Sequence, residues 1–247
     1  MLFNWDVEAW VKSKVDAAIV QNHLDISYQT FSLHGAGLHL SHVCLGASNL
    51  PKPLWLDEVE LQLDWLLLWQ MRLSILADVK NNFMQMKALL SMDDGSLLLS
   101  DITGQMDVQA AQAWYGKALL AQGFGDVHWQ GDIGLNVNTG LPVQTDLHIR
   151  WQNAALSMMQ QRYALGDYVL ALKQSDKNQS WILEGGKQLQ IKGRGTLQMN
   201  HADALMWLLQ GEVYAQADAA SPLAAFLPKA GKDIKLTGSL GKPQWLM

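Results

Sequence analysis

A two-residue alternation of apolar and polar side chains runs from Val59 to Val79. A β-strand points successive side chains to opposite faces, so this alternation predicts one apolar and one mostly polar sheet face. Strands usually span about 5 to 6 residues, and we expect the chain to reverse near Trp69 and Gln70. The apolar parity comprises Val59, Leu61, Leu63, Trp65, Leu67, Trp69, Met71, Leu73, Ile75, Ala77 and Val79. The other parity is polar except at Leu66, Leu68 and Leu76.

Apolar spacings of three and four predict an N-terminal helix over Asp6 to Gln21, with Asn4 or Asp6 as its N-cap. Further short helices are predicted near 110–121, 203–210 and 222–227. Most of the remaining chain alternates between turn-forming residues, including hairpin turns at Asp94-Gly95 and Thr139-Gly140. The pattern therefore predicts a mainly β fold. We expect an elongated, twisted and curved antiparallel sheet, either a half-pipe or an incomplete barrel, with helices at its ends.

Composition is compatible with one large domain and excludes some partners. No linker rich in Pro, Ser or charge divides the chain, so we expect a single domain over 1–247, with the helix in 1–22 and the sheet in 23–247. The chain has 18 Lys and Arg and 23 Asp and Glu, and the basic residues form no run, which argues against nucleic acid as a partner. Leu2 to Trp5 resembles the hydrophobic stub that would follow a membrane anchor.

Candidate catalytic and metal sites are weak. His34, His39, His42 and Cys44 are close in sequence, but in a strand His39 points away from His42 and Cys44, so we predict no metal site. No Gly-x-Ser-x-Gly nucleophile motif is present. Gly193-Arg194-Gly195 lacks the third glycine of a phosphate loop, and we expect its glycines to make a bulge or turn. We predict a protein that is not an enzyme and has no cofactor.

The apolar sheet face is the candidate binding surface. One alternative is that the helices Asp6 to Gln21 and Ala110 to Ala121 cover it and close an ordinary core, since monomers rarely expose more than a few hundred Å² of contiguous apolar surface. The other is that two helices are too few, which leaves a groove or an interface, and we favour this second interpretation. The predicted binding residues are Leu61, Leu63, Trp65, Trp129, Ile133, Leu147, Ile149 and Trp151.

Two segments resemble a known family. Gly140 to Val143 with Asp146 to Leu156, a strand ending in Trp followed by Asn-Ala-Ala-Leu, and then Leu165 to Leu172, which begins Leu-Gly-Asp-Tyr, are similar to protein N of the bacterial type II secretion system (GspN). A helix leading into a strand and then Gly35 to Leu40 also resembles the AsmA-type proteins.

The first resemblance implies an inner-membrane protein with one N-terminal anchor and a β-rich periplasmic domain. It would be a non-enzymatic accessory part of the secretion system, binding other components, either inner-membrane platform proteins or the secretin. The likeness to AsmA-type proteins implies a second hypothesis, a carrier or bridge that binds lipid in a hydrophobic groove.

Overall fold

A computed structural model describes residues 6–21, 25–35, 37–46, 52–64, 74–93, 95–115, 122–158, 161–175, 178–199, 206–219, 221–225 and 231–246. Fifteen strands form a single sheet in which neighbours along the chain are neighbours in space, except that β1 and β2 both pair with β3. The strands are β1 (Ile26–Ser27), β2 (Thr30–His34), β3 (Gly37–Leu45), β4 (Leu54–Leu63), β5 (Ser74–Lys80), β6 (Met84–Asp93), β7 (Ser96–Asp107), β8 (Gln122–Asn136), β9 (Pro142–Met158), β10 (Gln161–Ser175), β11 (Asn178–Gly185), β12 (Leu189–Gln198), β13 (Leu208–Ala217), β14 (Lys232–Ser239) and β15 (Lys242–Leu246).

The predicted mainly β, antiparallel architecture is confirmed. Every pairing in the described sheet is antiparallel, and the path ends at β15 without pairing back to the first strands. The reversal expected near Trp69 and Gln70 lies outside the described residues, but β4 and β5 do pair antiparallel on either side of it, with Leu61 opposite Ala77. Both predicted hairpins also form: β6 pairs with β7 across Gly95, and β8 with β9 across Gly140.

The helices are short and lie at the margins. Helix α1 (Val7–Gln21) starts after Asp6, whose Oδ1 accepts a hydrogen bond from the Ala9 amide at 3.0 Å, as an N-cap does. Helix α2 (Val108–Tyr115) begins earlier than predicted because Asp107 caps it, accepting from the Ala110 amide at 2.6 Å. Residues 116–121 lie outside the description.

The helix predicted over 203–210 is wrong at its C-terminal end. Leu208, Leu209 and Gln210 begin β13 and pair with Gln198, Leu197 and Thr196 of β12. Pairing satisfies their backbone groups in the sheet, and this tertiary contact overrides the local helical spacing. Residues 203–205 lie outside the description, and within the helix predicted over 222–227 a 3₁₀ turn spans Pro222–Ala225.

The strand register aligns apolar residues into two rows across the sheet. Residues directly opposite each other in an antiparallel pair point to the same face. The first apolar row comprises Leu33, Leu38, Leu61, Ala77, Ala88, Ile102, Gly131, Leu147, Leu172, Trp181, Gly195, Gly211 and Leu236. The second comprises Phe31, Leu40, Val59, Val79, Met86, Gly104, Trp129, Ile149, Leu170, Leu183, Gly193, Val213 and Ile234. Neither row contains a charged side chain, and the only side-chain hydrogen-bond donors in the rows are the indole N–H groups of Trp129 and Trp181.

Bulges keep the apolar residues on one face where their parity in the sequence changes. On β7 the parity changes between Leu99 and Ile102, and Asp101 between them has φ 51°. The Asp101 amide donates to Asp132 Oδ1 of β8 at 2.9 Å. An extra residue in one strand of a pair has this effect, because it restores the register that a single-residue slip would invert.

Candidate functional site

The predicted binding residues that the structure describes share the apolar face. Leu61 and Leu147 lie in the first apolar row, and Trp129 and Ile149 in the second. The others flank these rows on the same face: Leu63 lies opposite Ile75, Ile133 opposite Thr145, and Trp151 opposite Val127 and Tyr168. Those on β8 and β9 are close neighbours, whereas Leu61 and Leu63 lie further along the sheet on β4. Trp65 lies outside the described residues.

Helix α1 does not cover this face. It lies beside β2, where Glu8 Oε2 accepts from the Leu33 amide at 3.2 Å and Tyr28 hydrogen-bonds Asp16. None of its residues is buried, and the side chains of Val7, Trp10 and Val20 are exposed. The helix therefore lies at the edge of the sheet, beside β2.

Helix α2 packs at one end of the apolar face. A Cβ on Gly123 would lie 2.9 Å from Cγ1 of Val108, and Gly123 is paired with Leu156 of the apolar side. Gln112 Oε1 also accepts from the Gly123 amide at 2.8 Å. The two described helices thus do not extend over the central part of the apolar rows, where Ala88 and Ile102 are buried and Leu147 and Ile149 are half-buried.

The accessible surface is large for the size of the chain. It measures 16,376 Å², against about 11,000 Å² for a compact monomer of this mass. Among the described residues, Val43, Leu56 and Trp181 are 2%, 4% and 5% exposed, so well-packed sites are present but local. Buried apolar residues fall into separate clusters, each formed mainly by neighbouring strands. An apolar face folded under a continuous second layer would give a smaller accessible surface and one continuous core.

Trp181 is the best-packed aromatic residue of the face. Its indole covers Gly193 and Gly195 of β12 and Gly211 of β13, and a Cβ on Gly195 would lie 2.7 Å from its Cε2. Its Nε1 donates to the Gln210 carbonyl oxygen at 3.2 Å. The expectation of a bulge or turn at Gly193-Arg194-Gly195 is wrong, because these glycines lie inside a regular strand and make room for the indole.

Trp151 and Tyr168 form an anchored pair beside the second apolar row. Their ring centroids are 6.0 Å apart. Trp151 Nε1 donates to the Phe124 carbonyl oxygen at 3.0 Å. The Tyr168 hydroxyl donates to the Leu189 carbonyl oxygen at 2.6 Å. Burial raises the pKa of Tyr168 to about 12, because the interior disfavours the phenolate.

The Tyr168 phenol should make stability depend on alkaline pH. Its pKa rises from 10.0 to about 12 on folding, so its contribution is complete below pH 10 and is lost as the pH rises through about 12. Tyr168→Phe should not show this loss of stability at alkaline pH. Below pH 10, its free energy of unfolding should be about 1 kcal/mol lower than that of the wild-type protein, because the hydrogen bond to Leu189 is missing. Urea midpoints measured across that pH range for both proteins provide the check. Parallel pH profiles would contradict the assignment.

The opposite face is polar, with cross-strand polar pairs. Lys87 Nζ forms an ion pair with Asp78 Oδ2 at 2.8 Å, and His39 Nδ1 lies 3.8 Å from Glu60 Oε1. The His34 and His39 ring centroids are 6.4 Å apart. Among the described residues, no three His, Cys, Asp or Glu side chains are placed to hold a metal ion.

Within the described part of the chain, no helix combines the length and apolar character needed to span a membrane. The Leu2 to Trp5 segment lies outside that part.

Comparison with known proteins agrees with the resemblance found in the sequence. The family model of type II secretion system protein N matches residues 45–235, which include most of both apolar rows. No curated protein and no solved structure gives a significant match. The likeness to AsmA-type proteins stays a prediction. Because the match covers most of the chain, the protein belongs to the protein N family of the type II secretion system and is an accessory component that acts with other parts of that machine.

Proposed function

We propose that this protein is the periplasmic interaction module of an inner-membrane-anchored secretion component, and that its apolar face binds another component. The partner would be an inner-membrane platform protein or the secretin. The observation that supports this proposal is the pair of uncharged rows, which α1 and α2 leave largely uncovered. The row side chains are buried or half-buried among their strand neighbours, and a continuous apolar strip that no described helix covers can bind a partner.

The size of the rows fits a stable interface. Neighbouring strands lie about 4.8 Å apart, so rows that run from β2 to β14 are roughly 60 Å long. Alternate residues on a strand are about 7 Å apart, which makes the two rows together about 14 Å wide. The resulting strip of roughly 800 Å² equals what one partner buries in a standard protein interface.

Binding of the purified chain to the purified periplasmic domains of the platform proteins and of the secretin tests this function. Leu170→Asp places a charge in the second apolar row and should weaken binding at least about tenfold, since an unpaired carboxylate must lose its hydration in the interface. Leu76→Asp is the matched control, because Leu76 lies on the polar face opposite Gln62 and is already exposed. Equal binding by the two variants would contradict an interface on the apolar face.

Periplasmic placement has its own test. Alkaline phosphatase is active only where its disulfides can form. We expect activity when it is fused to the C-terminus of the complete gene product, and inactivity of a stable fusion would contradict a periplasmic module.

A second candidate function is lipid binding in the groove. Protein interfaces usually contain about one hydrogen bond per 100–200 Å², yet the only side-chain donors in the rows are the indoles of Trp129 and Trp181, and that of Trp181 already donates to the Gln210 carbonyl oxygen. Acyl chains need no such partners. Under this hypothesis, solvent extraction and mass spectrometry should find phospholipid in purified wild-type protein and in Leu76→Asp, but not in Leu170→Asp. A wild-type protein free of lipid would count against the carrier and leave the protein interface.

A further inference from the structure

The polar face contains a shallow pocket on β8 and β9, of about 230 Å³, that neither candidate function uses. Arg150 lies directly opposite His128, and His148 directly opposite Gln130. Gln152 and Val169 complete this side of the pocket. Its polar side chains therefore offer a guanidinium, two imidazoles and two amides, and no carboxylate lines it.

Arg150 is the unbalanced charge of this pocket. No carboxylate among the described residues lies within salt-bridge distance of its guanidinium. His148 differs, because its Nε2 lies 3.5 Å from Asp146 Oδ1. Asp126 lies two residues from His128 on β8, opposite Gln152, and Asp132 lies opposite Asp146. The positive charge of Arg150 is thus surrounded by amide and imidazole side chains, and the nearest carboxylates lie outside the pocket lining.

We propose that this pocket binds a carboxylate, supplied by an Asp or Glu side chain of a protein partner. The planar fork of an arginine donates two parallel hydrogen bonds to the two oxygens of a carboxylate. A single uncompensated charge matches a monoanion, and Asp126, Asp132 and Asp146 repel a carboxylate less strongly than a phosphate dianion. The pocket is open, which suits the end of a side chain on a larger molecule. This site rests on the proposed interaction function and adds a second, polar contact on the opposite face.

Nuclear magnetic resonance of the full chain tests the site, with acetate as the probe and chloride at equal ionic strength as the reference. Acetate should shift the Arg150 Nε–H and His128 ring signals saturably, and inorganic phosphate should bind no more tightly. Arg150→Gln should abolish the His128 shift. Arg194→Gln should retain it, because Arg194 lies on the same face but opposite Glu212. Circular dichroism confirms that each variant is folded.

Absence of a saturable acetate shift in wild-type protein, its persistence in Arg150→Gln, or tighter binding of phosphate would each overturn the carboxylate site. Leu170→Asp should still respond to acetate, since the apolar rows lie on the other face. A result that contradicts carboxylate binding in the pocket is therefore distinguishable from one that contradicts the proposed apolar interface.

Discussion

Trp181→Ala should destabilise the protein by about 3–5 kcal/mol, the range for removing a large aromatic side chain from a well-packed site. Trp181 is only 5% exposed and packs with Leu197, Val213 and Leu236. Its loss would leave a cavity that the underlying glycines cannot fill, and it would remove the hydrogen bond to Gln210. Urea unfolding followed by circular dichroism measures the change.

Ile182→Ala is the matched control for this prediction. Ile182 is the next residue on β11, points to the polar face and is 53% exposed. Its truncation should cost less than about 0.5 kcal/mol, as for most surface substitutions. If the two variants unfold at the same urea concentration, Trp181 is not the packing centre of this part of the sheet.

Gly131→Ala should be the second severe substitution, with a loss of about 3–5 kcal/mol from backbone strain together with overpacking. Gly131 has φ 143°, which L-residues rarely adopt, and an added Cβ would overlap the carbonyl oxygen of Asp146 on β9. The β8–β9 pairing would have to open where the first apolar row passes from Ile102 to Leu147.

Gly140→Ala separates steric overlap from the general effect of replacing a glycine. Gly140 also has positive φ, at 67°, but an added Cβ would meet nothing within 4 Å in the β8–β9 turn. The Gly140→Ala substitution should lower the free energy of unfolding by only about 1 kcal/mol. Thermal unfolding of both variants provides the measurement, and a Gly131→Ala protein as stable as Gly140→Ala would contradict the close approach of β8 and β9.

The alternation in the sequence was sufficient to predict the apolar face because strand periodicity is local. Leu61 and Ala77 share a parity, and that parity survives their pairing across β4 and β5. The changes of parity at Asp101 and Asn153 were not predictable. Each has positive φ, and its amide donates to a carboxylate of another strand, Asp132 for Asp101 and Asp167 for Asn153. Such contacts exist only after the strands have paired.

The extent of cover over the apolar face also could not be derived from the sequence. The spacing in α1 correctly indicated a helix, yet Glu8 and Asp16 bind Leu33 and Tyr28 at the edge of the sheet. That contact depends on where β1, β2 and the turn between them lie. Likewise, Gly195 became interpretable only when the register placed it opposite Trp181.

Photo-crosslinking in cells that contain the secretion system tests the central claim that the apolar face binds a hydrophobic partner. A benzophenone amino acid would replace Ile149 on the apolar face or, as a control, Ile182 on the polar face. We predict that position 149 crosslinks a secretion component or a phospholipid, identified by mass spectrometry, and that position 182 does not crosslink the same molecule. Crosslinks from position 149 only to the chain itself would contradict an open binding face.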